Sequence, residues 1–409
     1  MEVCWLERLP AGLGHRILGF CGPLESAVAA EILDELRAVP RTRFASEWIL
    51  GVANEGKIEL LSWLIGAGCP WHVGVYSEAI LGGHYAVAEW ALAHGAPWNE
   101  NVAAYAGKSG SIEALQWLRA RGCPWNYRVC ASASSEGHVA LVEWAADEGC
   151  PLSPFVFSSA SLGGHVPVLE TLRKLRCPRD VTACASAARG GHLGVLKWLR
   201  KTGSEWDAST SAGAALAGSL EVLAWARSRG CPWDESTTAN AALAGRVDIL
   251  RWATDGGCPI DSSAFSCAAA NGGLLCLEWL LARGCPWDPS ACSRAAGEGN
   301  LEALKWLRSK GCPWNEDAFA EAASSGRIDV LEWLRSEGCP WNAKTCSSAA
   351  LHGRLSAIQW ARTRGCPWDE DTFALAECQG YADVAKWLKD NGCPPGRNAE
   401  ALEALACIC

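Results

Sequence analysis

Tryptophan recurs in this chain every 27 residues, at positions 63, 90, 117, 144, 198, 225, 252, 279, 306, 333, 360 and 387, and Thr171 fills the one slot that breaks the series. A glycine keeps the same register without exception, from Gly56, Gly83 and Gly110 to Gly380. A Cys-Pro pair keeps it too, starting at Cys69, Cys123, Cys150, Cys177, Cys231, Cys258, Cys285, Cys312, Cys339, Cys366 and Cys393. Three marks in one register define thirteen repeats with no insertion or deletion. At 409 residues the chain is too long for a single compact core. An array of short units avoids that limit, because each unit buries its apolar face against its neighbours.

One unit, residues 312–338, reads CPWNEDAFAEAASSGRIDVLEWLRSEG. Asn315 predicts an N-cap, since its side-chain oxygen can accept from a free amide of the first turn. Asn99, Asn126, Asp207, Asp234, Asp261, Asp288, Asn342 and Asp369 hold that place in other units. A first helix of about ten residues follows, with Phe319, Ala322 and Ala323 on one face. Gly326 predicts a left-handed ending. The second helix begins near Arg327, and Ile328, Val330, Leu331, Trp333 and Leu334 make its apolar stripe. Gly338 closes it, and Pro340 prevents its continuation. Ala106, Ala133, Ala160, Ala187, Ala214, Ala241, Ala268, Ala295, Ala322, Ala349 and Ala376 share one first-helix slot. A small residue there lets successive first helices approach closely. The pattern predicts an all-α chain, an α-solenoid of thirteen stacked two-helix repeats.

The unit resembles the ankyrin repeat. The stretch GRIDVLEWLRSEGCPWN at 326–342 is similar to the ankyrin second helix and its exit, and Ala322-Ala323 lies at the ankyrin alanine pair. Gly-His at Gly83-His84, Gly137-His138, Gly164-His165 and Gly191-His192 fits the same pattern. The period is 27 rather than about 33, Cys-Pro-Trp replaces Ala-Asp-Val, and no Thr-Pro-Leu-His opens the first helix. The six missing residues are those of the ankyrin β-hairpin finger, so the resemblance implies ankyrin-like repeats without fingers, of a short tryptophan-rich kind. It also implies a protein partner, bound elsewhere than at finger tips.

Residues 42–392 form the repeat domain on this reading. Residues 393–409 read as one amphipathic capping helix, and residues 1–41 as an N-terminal helical cap. In that cap Leu9-Pro10, Leu13, Ile17-Leu18, Phe20, Pro23 and Ala27 resemble the opening of an F-box, although only about half the length of such a module precedes the repeats. That resemblance implies docking on a Skp1-type protein of a ubiquitin ligase.

The net charge is −9, divided as −2 over residues 1–41, −6 over 42–392 and −1 over 393–409. No segment is basic enough for an electrostatic nucleic-acid footprint, no apolar run is long enough for a membrane helix, and the start lacks a secretory pattern. The 22 cysteines fall mainly on the repeat lattice, with no C-x-x-C pair. Equivalent cysteines one repeat apart sit about 10 Å from each other, too far for a disulfide, so they are expected to pack in the core of a protein of the cytosol or nucleus. Cys130, Cys184, Cys292 and Cys346 share a slot with Phe157, Phe265, Phe319 and Phe373 and behave as small core residues. Both tryptophan columns are expected in the core.

Gly107-Lys108-Ser109 suggests a phosphate loop but falls at a helix–helix turn, and Cys407-Ile408-Cys409 matches a prenylation pair that requires a GTPase fold absent here. No Ser/His/Asp or Cys/His constellation appears off the lattice, so neither catalysis nor a cofactor or metal is expected.

The first-helix positions that vary between units, Glu78, Tyr105, Arg128, Arg189, Asn240, Arg294, Glu321 and Lys344, are the candidate partner-binding residues. The expectation is a monomeric scaffold that binds a protein. A Skp1-type ubiquitin-ligase adaptor is the alternative, and an enzyme is a remote third. Residues 150–206 are expected to be the weakest stretch, because Thr171, Arg176, Leu152, Arg179 and Ser204-Glu205 all break the lattice there.

Overall fold

The structure, a computed structural model, describes residues 47–394 apart from Ala67. The expected N-terminal cap with its F-box resemblance (residues 1–41) and nearly all of the expected capping helix (395–409) lie outside the described residues. Within them, twenty-six α-helices of seven to ten residues alternate as thirteen first and second helices, from Glu47–Asn54 and Ile58–Gly66 to Glu370–Cys378 and Ala382–Asp390. No strand occurs among the described residues, as expected of an array without hairpin fingers.

The described residues fall into two units. One reaches to Ala183 and includes Gly194–Ser204; the other comprises Cys184–Leu193 and continues from Glu205. Both are built the same way. In the first unit the helices Glu47–Asn54, Val75–Leu81, Glu100–Ser109, Arg128–Glu136 and Pro154–Gly163 pack one on the next. In the second, the first helices from Ala208–Leu216 to Glu370–Cys378 do so. Each is an α-solenoid layer with the second helices packed behind it.

The alanine column makes this approach possible: all eleven expected alanines, from Ala106 to Ala376, are buried. At some first-helix glycines a neighbour comes closer still. A Cβ on Gly107 would meet the Val129 carbonyl oxygen at 2.5 Å, and one on Gly213 would meet that of Ala185 at 2.7 Å. Gly107-Lys108-Ser109 is the end of the Glu100–Ser109 helix, and its glycine is there for contact between helices. The second helices bury the predicted stripe, for example Val330, Leu331 and Leu334.

The caps follow the sequence. Asn99, Asp207, Asp234, Asp261 and Asp288 accept from the backbone amide two residues on, at 2.9–3.1 Å, and Asp369 completes a capping box with Thr372. Asn126, Asn315 and Asn342 make the same bond, although their regular helices begin two residues later. The glycines ending first helices all have φ between 67° and 87°. Those ending second helices have φ between 69° and 93°, and Arg176 at φ 55° stands in the one slot without glycine.

Candidate interaction surface

The two ends of each first helix bind the neighbouring unit through the backbone. In four units the residue just after the closing glycine reaches back 30 positions to a carbonyl that the preceding first helix leaves open. His138 Nε2 donates to Lys108 O at 3.0 Å, His165 Nε2 to Ser135 O at 3.0 Å, Asn300 Nδ2 to Ala270 O at 2.5 Å and Arg354 Nε to Ser324 O at 3.0 Å. At the other end the Cys-Pro thiol donates to the carbonyl of the cap 24 residues earlier. Examples are Cys150 to Asn126 O at 3.3 Å, Cys258 to Asp234 O at 3.2 Å and Cys366 to Asn342 O at 3.4 Å. These cysteines are free and buried. Burial pushes the thiols of Cys123, Cys177 and Cys285 up to about 11 and those of Cys258 and Cys339 up to about 12. They stay protonated and serve as donors, consistent with the packing role expected of them. The distance argument, however, compared only equivalent cysteines. Non-equivalent ones twenty residues apart face each other: Cys130 and Cys150, Cys292 and Cys312, and Cys346 and Cys366 hold the slots in which Ser211 Oγ lies 3.5 Å from Cys231 Sγ, and the neighbouring thiol raises Cys130, Cys292 and Cys346.

The tryptophans are not the core residues expected. Among them Trp117 and Trp360 are buried, and the other indoles of both columns are half-buried. Most link tryptophans meet the second-helix tryptophan 19 residues on, nearly edge to face in Trp98–Trp117, Trp233–Trp252 and Trp368–Trp387 at 5.8–6.2 Å between centroids, whereas Trp287 meets Phe265. An arginine two residues past the second-helix tryptophan then covers the next link indole. Arg227 lies 3.9 Å from Trp233, Arg308 4.0 Å from Trp314 and Arg362 3.7 Å from Trp368. The same three arginines donate to the carbonyls of Cys231, Cys312 and Cys366. The indoles therefore tile the turns between units, and those of Trp233, Trp314 and Trp368 have one face under a cation.

The eight candidate residues all lie on first helices or at their starts, and all are half-buried or exposed. Four of them, Glu78, Tyr105, Arg128 and Lys344, take part in polar pairs one repeat apart. Tyr105 Oη donates to Glu78 at 3.3 Å, Arg128 to Asn101 at 3.3 Å and Lys344 Nζ to Asp317 at 2.6 Å. Burial raises the Glu78 carboxyl, against the bonds from Tyr105 and Asn54. The bond with Lys344 lowers the Asp317 carboxyl. Asn240 donates to Ala212 O at 3.2 Å, and Glu321 packs over Gly297.

Two grooves open on this face. In the first unit, a groove of about 390 Å³ has a floor of Ala104, Ala131, Ser132 and Ser135 and walls of Asn101, Arg128, Tyr127 and Phe155. Phe155 is 59% exposed and meets Tyr127 edge-on at 5.9 Å. The groove suits an apolar or aromatic side chain flanked by an acceptor for Arg128. In the second unit, a groove of about 430 Å³ brings Arg189 and Asn240 together with Asp207 and Asp234 over Ala212 and Gly213. It suits a polar segment with both donors and acceptors. Arg128 is thus brought into one groove and Arg189 with Asn240 into the other; Glu78, Tyr105, Arg294, Glu321 and Lys344 line neither. Phe155 was missed from the sequence. Its signal was there: it is an aromatic in a slot that elsewhere holds Asn101, Arg128, Thr182, Ser209, Ser236, Ser263, Ser290, Asp317 or Lys344.

No protein-family model matches this chain, and no curated protein matches it. Among solved structures it is similar to the human ASB11 ankyrin repeat domain, with a TM-score of 0.32 and 17% identity over 52% of this chain and 99% of that one. It is also similar to the pentatricopeptide repeat protein PPR10 in complex with an 18-nt psaJ RNA element, with a TM-score of 0.30 and 16% identity over 93% of this chain and 68% of that one. At such scores neither likeness bears on what the chain binds; the helical repeat architecture stands on its own geometry.

Proposed function

We propose that this chain is a scaffold that holds a partner protein on the first-helix face of its repeats. The supporting observation is the contrast within one lattice. Cap, alanine, glycine and thiol positions repeat because they hold neighbours together. Exposed positions vary on both helices of the unit, and it is on the first-helix face that the two grooves lie. The groove around Phe155 and Arg128 would anchor the partner. On this reading the chain is not an enzyme, takes no nucleic acid, and works as a monomer in the cytosol or nucleus. Its net charge of −9 and its protonated, carbonyl-bonded thiols agree with that. No helix of the described residues is long and apolar enough to cross a membrane.

A photo-crosslinking residue placed at Phe155 or Asn240, and at the exposed Glu302 of a second helix as control, tests the proposal in native lysate. A discrete protein should be trapped from the first-helix positions only, and Arg128→Glu should weaken its capture. Trapping from position 302 alone would overturn it. A second function, substrate adaptor of a Skp1-type ubiquitin ligase, rests on Leu9-Pro10, Leu13 and Ile17-Leu18. Purified Skp1-type protein should then bind the full chain and not a chain lacking residues 1–41; equal binding to both, or to neither, removes that reading.

A further inference from the structure

The slot twenty residues before each Cys-Pro thiol faces that thiol across the unit. Serine in the slot shows the reach: Ser211 Oγ donates to Cys231 Sγ at 3.5 Å. Phenylalanine occupies the slot at 157, 265, 319 and 373. A thiol faces a thiol at Cys130–Cys150, Cys292–Cys312 and Cys346–Cys366, all six buried and free. The lattice that sets Ser211 Oγ 3.5 Å from Cys231 Sγ brings the two sulfurs of each pair toward one another in the same way. Nothing in the packing demands this, since alanine, serine and phenylalanine serve in the same slot.

We propose that these three pairs are two-coordinate sites for a monovalent soft cation, copper(I). Thiolate sulfur selects soft metals. Among the described residues no group of three or more histidine, cysteine or acidic side chains could hold an ion. Zinc, which takes four ligands in structural sites, is therefore poorly served, whereas two facing sulfurs match the linear coordination of a filled-shell monovalent ion. The reaction balances without a redox step. Two thiols bind one copper(I), two sulfur–copper bonds form, two protons leave to solvent, and the site gains one negative charge.

A buried negative charge needs a partner, and each pair has a guanidinium within electrostatic range. Arg119 acts on Cys150, Arg308 on both Cys292 and Cys312, and Arg362 on both Cys346 and Cys366, with Asp288 opposing at Cys312. Arg119, Arg308 and Arg362 are held in place over Trp125, Trp314 and Trp368. One positive charge matches the single negative charge of a copper(I) dithiolate; a divalent ion would leave the pair neutral and the arginine unmatched. Deprotonation strands no backbone acceptor. The carbonyls of Asn126, Asp288 and Asn342, which take the thiol protons, also accept from the amides of Val129, Ala291 and Thr345.

The test is an anaerobic titration of the reduced full chain with copper(I), added as its acetonitrile complex against a chromophoric copper(I) chelator. The comparison is Cys130→Ser/Cys292→Ser/Cys346→Ser. Serine occupies this slot naturally at Ser211, so the variant should fold, and its circular dichroism should match. Wild type should retain three more equivalents than the variant, with a stronger ultraviolet thiolate-to-copper band, and each single substitution should remove one. Copper bound at other cysteines cancels in the difference. Equal stoichiometry in the two proteins, or a zinc difference as large as the copper one, would overturn the proposal.

Discussion

A Cβ on Gly110 would meet the ring of His138 at 2.7 Å, whereas one on Gly122 would meet nothing within 4 Å. Both residues have φ 75°. At Gly110, as at Gly137, Gly299 and Gly353, the first glycine column faces two demands, a left-handed turn and the stacked side chain of the next unit. The second column faces only the turn, and it is the column with a replacement, Arg176. A left-handed conformation costs an ordinary residue roughly 1–2 kcal/mol. Arg176→Gly should therefore stabilise the protein by about 1 kcal/mol, read as a higher urea midpoint. Gly110→Ala should cost about 2 kcal/mol or more, because steric crowding adds to the strain. If the two substitutions shift the midpoint alike in size and sign, the distinction between the columns fails.

Within a repeat, the turn between second helix and next first helix is a composite of indole, guanidinium and thiol. Trp360, 7% exposed, packs against Phe319 at 6.4 Å and Trp341 at 6.1 Å between centroids. Trp360→Ala should cost about 3–5 kcal/mol. The half-buried Trp306 should cost less on truncation, and Arg294→Ala should stay within about 0.5 kcal/mol, as surface changes do. Denaturation midpoints of the three variants check that order. The cap belongs to the same scale: Asp207 accepts both the amide and the hydroxyl of Ser209. Asp207→Ala should cost about 1 kcal/mol, whereas Asp207→Asn should cost much less, because the amide oxygen can still cap.

Across the molecule the thiols act together. Burial raises Cys123, Cys177, Cys276, Cys285 and Cys393 to about 11, and Cys258 and Cys339 to about 12. A thiol whose folded value exceeds its unfolded one contributes stability that is complete below the unfolded value, near 8.5. That contribution disappears as pH rises through the folded value. The urea midpoint should hold steady from pH 7 to about 8.5 and fall steeply by pH 11; a midpoint that rises over that interval would contradict the buried, protonated thiols. Stability in such arrays is a sum of unit and interface terms, and the lattice is poorest at 150–206. There Thr171 replaces an indole and turns its hydroxyl to Glu143 at 3.3 Å, and the division between the two units falls there as well. Amides of 155–200 should exchange faster than those of 285–340, and hydrogen exchange by mass spectrometry reads this directly.

The sequence by itself determined the helices, their number, their caps and their ends, because each is decided within one turn of chain by residues such as Asp207, Gly326 and Pro340. It determined the alanine contact for the same reason, since a column of small side chains has one use in a stack. Only the tertiary structure decided where the long side chains go. Trp233 and Arg227 could have filled a core, yet they tile a turn because the stacked alanines leave no room for an indole between first helices. Cys130 and Cys150, twenty residues apart, share no lattice slot, and only the folded hairpin puts their sulfurs together. Arg128 and Phe155 stand one period apart, so the sequence puts them at the starts of neighbouring first helices, but that the two side chains wall one groove depends on packing across units.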